Sequence, residues 1–140
     1  MILIDSNILI DVIESDPVWQ AWSMAQIEEA GATEILIINQ IVLAEAAPRS
    51  GPLADFCQTL DNMMIRVEAL SNEGAYIAGA AFQKYRHKRL VESPRSILAD
   101  FLIGGHAQAL GATILTRDPR FYKAYFPTVP LIAPIKDDND

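Results

Sequence analysis

The sequence predicts an α/β fold: a mainly parallel central sheet of about four to five strands, flanked by helices. Three observations predict it. Residues 1–4 are a short continuous apolar run, as expected of a strand buried on both faces, and "EILII" (34–38) and "ATILT" (112–116) read as further strands. Longer stretches with helical spacing separate them. Helix-start chemistry stands at the joins, in Asp16-Pro17, Ser71-Asn72 and Asp118-Pro119.

Taken in order, residues 1–4 form the first strand, and Ser6 or Asn7 can cap a short helix reaching about Glu14. Asp16-Pro17 opens a second helix that ends at Gly31, a plausible C′ glycine. Strand 34–38 follows, then a helix over 39–47 stopped by Pro48. A helix near 52–62 leads to "MIRVEAL" (64–70), a third strand. Residues 71–89 and 96–111 read as two further helices, the second ended by Gly111. Strand 112–116, a short helix over 118–126 and an edge strand at "PLIAP" complete a single domain spanning 1–133. The acidic stretch 134–140 is expected to fray.

A chain of 140 residues fits one domain, and its 51% hydrophobic and 21% charged content fits a globular one. The single cysteine, Cys57, permits no intrachain disulfide and reads as a core residue on a helix face. No basic segment opens the chain, and the longest apolar stretch is broken by Asn39, Gln40 and Glu45. These features predict a soluble cytoplasmic protein with no membrane span. A net charge of −7 argues against nucleic-acid binding by overall charge. The basic residues are nonetheless concentrated: Lys84, Arg86, Lys88, Arg89 and Arg95 lie within one stretch, and Arg117, Arg120 and Lys123 form another.

Four acids stand in awkward places. Asp5 follows the first strand directly, where ligands bind in parallel sheets, and the first basic residue of the chain is Arg49. Capping does not require an acid there, since Ser6 and Asn7 serve equally well. Glu45 shares a helix face with Ile41 and Val42 and lies at the helix end the dipole makes unfavourable for an anion. Asp100 opens "DFLIGGHA", in a helix apolar all round and therefore expected to be buried. Asp118 follows the 112–116 strand as Asp5 follows the first, although Asp-Pro is also good capping chemistry. Converging carboxylates repel and raise one another's pKa, and a divalent cation removes that penalty. Oxygen donors without cysteine or paired histidine favour Mg²⁺ or Mn²⁺ over Zn²⁺. His87 and His106 lack metal-ligand spacing, and His106 reads as helix-end structure.

Asp5-Ser6-Asn7 after an N-terminal strand, Glu45 in "VLAEA", Asp100 in "LADFLIGGHA" and Asp118 in "ILTRDPRF" resemble the PIN-domain ribonucleases. The resemblance runs from residue 2 to about 132 and is nearest to the VapC toxins of toxin–antitoxin pairs. It implies a PIN-like single domain and a Mg²⁺- or Mn²⁺-dependent endoribonuclease that forms a homodimer and is neutralised by a protein antitoxin. It carries the family's acids onto Asp5, Glu45, Asp100 and Asp118, with Asp5, Asp100 and Asp118 as metal ligands and Asn7 and Thr116 as supporting polar groups. RNA contact is expected from Lys84, Arg86, Lys88, Arg89 and Arg95, with Tyr85 interleaved for stacking, and from Arg117 and Arg120. Trp19 and Trp22, three apart on one helix, suit either core packing or an apolar groove for an antitoxin segment. Two other readings compete. One is a non-catalytic PIN-like binding module. The other is a haloacid dehalogenase-like phosphatase, disfavoured because Asn7 stands where that family carries a second aspartate.

Overall fold

The structure, a computed structural model, describes residues 1–88 and 97–135. Arg89, Arg95, the side chain of Lys88 and the acidic tail from residue 136 lie outside the described residues.

The chain runs β1 (Ile2–Ile4), α1 (Ser6–Ile13), α2 (Gln20–Gly31), β2 (Leu36–Ile38), α3 (Gln40–Ala46) and a 3-10 turn (Ala47–Ser50). It continues through α4 (Leu53–Asn62), β3 (Ile65–Val67), α5 (Asn72–Lys88), α6 (Ile97–Leu110), β4 (Thr113–Leu115), α7 (Arg120–Tyr125) and β5 (Leu131–Ile132). The strands form one sheet in the order β3-β2-β1-β4-β5, and every pairing is parallel. The α/β expectation therefore holds, with five strands and flanking helices. Leu3, Ile4, Ile37, Ile38, Ile114 and Leu115 are sealed from solvent, which explains the unbroken apolar runs.

The first strand in the chain is the central one in space. From β1 the chain first builds outward through β2 to β3, then returns to the other side of β1 with β4 and β5. Such a reversal leaves a crevice at the carboxyl ends of the two strands where the order changes. Asp5 stands at the end of one and Thr116 at the end of the other.

Several local expectations change. Asp5 itself caps α1, its Oδ1 accepting from the Ser6 N–H at 2.8 Å, so neither Ser6 nor Asn7 does. Asp16 Oδ1 accepts from the Val18 and Trp19 N–H groups, holding the turn that precedes α2. Gly31 belongs to the last turn of α2, and the chain continues through Ala32 in a right-handed conformation, so no left-handed glycine is needed. Gly111, at φ 65°, does end α6 as expected. Cys57 is exposed, because the buried face of α4 falls on Phe56 and Leu60. Nor is α6 buried all round: Leu98 is exposed, while Phe101, Ile103 and Ala107 are sealed. His106 lies inside that helix rather than at its end. Among the described residues no helix is long and apolar enough to cross a membrane.

Helices α5 and α6 approach closely through glycine. A Cβ on Gly105 would stand 2.5 Å from the Gly74 carbonyl oxygen and 2.7 Å from the Ala78 backbone nitrogen. A Cβ on Gly104 would meet the Phe126 ring at 2.4 Å. This pair of glycines lets the helix that carries Asp100 seat against its neighbours.

Candidate active site at the carboxyl edge of the sheet

Asp5 leaves β1 with its N–H on the Leu115 carbonyl of β4, 2.9 Å away. Its side chain is buried, and no basic group touches it among the described residues. Oδ2 accepts from Thr116 Oγ1 at 2.8 Å and from the Tyr122 hydroxyl at 3.0 Å. Burial pushes the Asp5 pKa up, and the hydrogen bonds from Thr116, Tyr122 and Ser6 offset only part of that rise.

Glu45 projects from α3. Its Oε1 accepts from Ser6 Oγ at 3.0 Å, so one serine joins the segment after β1 to the end of α3. Glu45 keeps contact with solvent, yet the protein displaces part of its hydration and raises its pKa. The Ser6 hydrogen bond works against that rise, and the charge of Asp5 adds to it. Asp100 lies in the first turn of α6 and is half-buried. Its pKa is pushed up to about 7, first by burial and then by the charges of Asp5, Glu45 and Asp118. The four predicted acids thus act on one another across a single edge of the sheet. Asp118 is exposed. Its carboxylate accepts from Arg120 Nε at 3.1 Å, and its N–H donates to Thr116 Oγ1 at 3.1 Å.

The supporting polar groups hold the loop after β4. Asn7 Oδ1 accepts from the Arg117 N–H at 3.2 Å, and its Nδ2 stands 3.5 Å from Thr116 Oγ1. The loop is gripped a second time by Arg117. Its Nε and Nη2 each lie 2.9 Å from the carboxylate of Asp11, which is 1% exposed and also accepts from Ser23 Oγ. The Arg117 guanidinium covers the Trp19 ring at 5.3 Å. Arg117, expected to reach RNA phosphate, is thus paired with a buried carboxylate while remaining partly exposed.

The other predicted contacts separate. Lys84 and Arg86 are exposed on α5, and Arg86 stands 6.0 Å over the Phe82 ring. Tyr85 is buried among Phe82, Phe101 and Tyr125, so it offers no stacking face for a base. Trp19 and Trp22 meet edge to face with ring centres 5.8 Å apart, both half-buried.

The parts played by five residues escaped sequence reasoning. Asp11 carried the same signal as Asp5, an acid inside an apolar run. Ser6 stood in the Asp5-Ser6-Asn7 motif with no sign of its bond to Glu45, and Tyr122 carried no signal. The other two, Asn39 at the end of β2 and His106, form a buried pair. Asn39 Oδ1 accepts from the Ile41 and Val42 N–H groups at 3.1 Å each, which turns its Nδ2 toward His106 Nδ1, also 3.1 Å away. This contact ties α3, which carries Glu45, to α6, which carries Asp100. His106 Nδ1 is therefore an acceptor, so the proton of the neutral ring sits on Nε2, which has no hydrogen-bond partner among the described residues.

The donor set suits a hard divalent cation: it is made of carboxylate oxygens, one of them reluctant to ionise beside the others. Among the described residues no three Asp, Glu, His or Cys side chains are gathered closely enough to hold an ion as they stand. Binding through three of them calls for side-chain rotation, and Asp118, turned onto Arg120 at the surface, has room for it.

The sequence profile of the PIN domain matches residues 2–127. No curated protein matches the sequence. Among solved structures, VapBC2 from Rickettsia felis bound to a promoter DNA fragment superposes with TM-score 0.71 at 23% identity, covering 95% of this chain and 98% of that one. DNA-bound VapBC from Salmonella typhimurium gives 0.67 at 18%, covering 94% and 96%. A toxin–antitoxin complex from Klebsiella pneumoniae gives 0.66 at 19%, covering 98% and 100%. At these identities the likeness concerns the fold. The profile match extends over most of the chain, from the strand that delivers Asp5 to the helix that delivers Tyr122, and by it the chain belongs to the PIN domain family.

Proposed function

We propose that this chain is the toxin of a toxin–antitoxin pair and acts as a Mg²⁺- or Mn²⁺-dependent endoribonuclease. The observation that carries the reading is the raised proton affinity of Asp100, caused by burial and by the charges of three further carboxylates, Asp5, Glu45 and Asp118. The similar structures add to it, since they include toxin–antitoxin complexes.

In this reading Asp5, Asp100 and Asp118 hold the ion. An ion held there would supply a more acidic water and a polarised scissile phosphate. Glu45 works on the attacking water. Ser6 occupies Oε1, which leaves Oε2 to accept a proton, and a raised pKa suits a general base. Arg120, released when Asp118 turns inward, meets the phosphate. Lys84, Arg86, Lys88, Arg89 and Arg95 hold the RNA backbone beside the acids. Trp19 and Trp22 offer the apolar contact for an antitoxin segment whose basic side chain answers the acidic edge. A homodimer in the cytoplasm completes the proposal.

One observation favours a second reading, a binding module without catalysis: the acids are not drawn together as a ready-made triad. The phosphatase reading is weaker still, because Asn7, in place of a second aspartate, bonds the Thr116–Arg117 loop.

Purified chain is incubated with RNA and Mn²⁺ or Mg²⁺, beside Asp5→Asn and Asp100→Asn. Metal-dependent cleavage by the native chain, lost in both variants while their circular dichroism is retained, is the expected result. Undiminished cleavage by both variants overturns it. Binding of Mn²⁺ and RNA without cutting selects the binding module.

A further inference from the structure

A carboxylate has about four acceptor positions, two on each oxygen. At Asp5 three are taken. Oδ2 receives Thr116 Oγ1 at 2.8 Å and the Tyr122 hydroxyl at 3.0 Å, and Oδ1 receives the Ser6 N–H at 2.8 Å. The Ser6 hydroxyl lies 3.5 Å from Oδ1 and nearer, at 3.0 Å, to Glu45 Oε1, so its single proton goes to Glu45. One acceptor position remains, on Oδ1.

We propose that Tyr122 is a positioning residue of this site: with Thr116 it fills Oδ2 and makes Asp5 a one-oxygen ligand, through Oδ1, for the divalent ion. The proposal rests on the reading of Asp5 as a metal ligand and adds how that ligand is oriented. Tyr122 is well placed to do this. Its side chain is 2% exposed, and the Phe121 ring meets it edge to face with centres 5.3 Å apart. Its hydroxyl therefore has little freedom, and a buried phenol needs a partner. Thr116 and Tyr122 also belong to one stretch of chain, with Asp118 between them. The same segment that saturates Oδ2 thus delivers a second proposed ligand, so the orientation of Asp5 and the approach of Asp118 are set together. Phenylalanine at 122 would fill nearly the same volume and leave Oδ2 with one donor, free to compete with Oδ1 for the cation.

The test is a Mn²⁺ titration of the full chain, read from the paramagnetic resonance signal of free Mn²⁺, with melting followed in EDTA. Tyr122→Phe is expected to weaken Mn²⁺ binding about 10-fold, the low end for partners that orient metal ligands. Its melting in EDTA should stay close to that of the native chain. A purely structural hydroxyl would shift melting and leave Mn²⁺ affinity alone. Native Mn²⁺ affinity in Tyr122→Phe overturns the inference and leaves the nuclease reading standing. A native chain that binds no Mn²⁺ overturns both. Should Tyr122→Phe fail to fold, Thr116→Val opens the same oxygen, and unchanged affinity there overturns the inference equally.

Discussion

Arg117 and Asp11 meet as a fork on a carboxylate, with two contacts of 2.9 Å, across the gap between the loop after β4 and helix α1. The pair fixes a loop whose neighbouring residues, Thr116 and Asp118, both face the acidic edge. The fold thus anchors the loop of the acidic edge by a charge pair whose carboxylate is buried away from it.

Removing the guanidinium strands a buried charge. Arg117→Ala leaves Asp11 with Ser23 as its remaining hydrogen-bond donor. Breaking such a pair costs roughly 3 kcal/mol, at the low end because Arg117 is partly exposed. Urea unfolding should show this as a lower midpoint with an unchanged slope, and a loss below about 1 kcal/mol would show the fork contributes little.

Asp100 makes stability depend on pH. Its folded pKa, about 7, lies above the ordinary 3.8, so the folded state holds the proton more tightly than the unfolded state. That contribution is fully present below about pH 4 and is lost as pH rises through 7. In EDTA, the melting difference between Asp100→Asn and the native chain should grow in favour of the variant from pH 5 to 8. Parallel curves would contradict it. Mg²⁺ should raise melting of the native chain at pH 8 more than that of Asp100→Asn.

His106 pulls the other way. Burial lowers its pKa, with Glu68 opposing, so the unfolded chain takes up the proton first and stability falls as pH drops below the ordinary 6.5. His106→Leu should shed that acid-side loss. At neutral pH it should cost about 1–3 kcal/mol, because it leaves the Asn39 amide without its acceptor. Thermal melts at pH 5.5 and 7.5 read both effects, and a variant equally stable at both values relative to the native chain would count against them.

Gly105→Ala should wedge α5 from α6. Its Cβ meets backbone atoms of Gly74 and Ala78, which cannot swing aside as a side chain does. Overpacking of this kind costs about 1–3 kcal/mol. Hydrogen exchange should show faster opening of α6, and native exchange rates with a native melting temperature would refute the wedge.

Much of the fold was legible because its central strands, β1, β2 and β4, are largely buried and announce themselves as short apolar runs. The acids Asp5, Glu45, Asp100 and Asp118 were legible for the converse reason: each sits in apolar or capping surroundings that do not require it. Their partners were hidden, because a hydrogen bond such as Tyr122 to Asp5 spans 117 residues and depends on how α7 docks. Tyr85 misled because alternation with basic residues looks alike whether the ring faces solvent or the aromatic core. The pairing of Arg117 was hidden because its partner, Asp11, lies 106 residues earlier on another element.

The central place of β1 has a consequence for synthesis. As the chain leaves the ribosome, β1 has one flank without a neighbour until residues 113–115 arrive to pair with it. Asp5 likewise waits for Thr116 and Tyr122. A nascent chain therefore carries Asp5 and Glu45 in an unfinished arrangement until the stretch from Thr113 to Tyr122 has emerged, so the acidic edge is among the last parts of the PIN domain to be assembled.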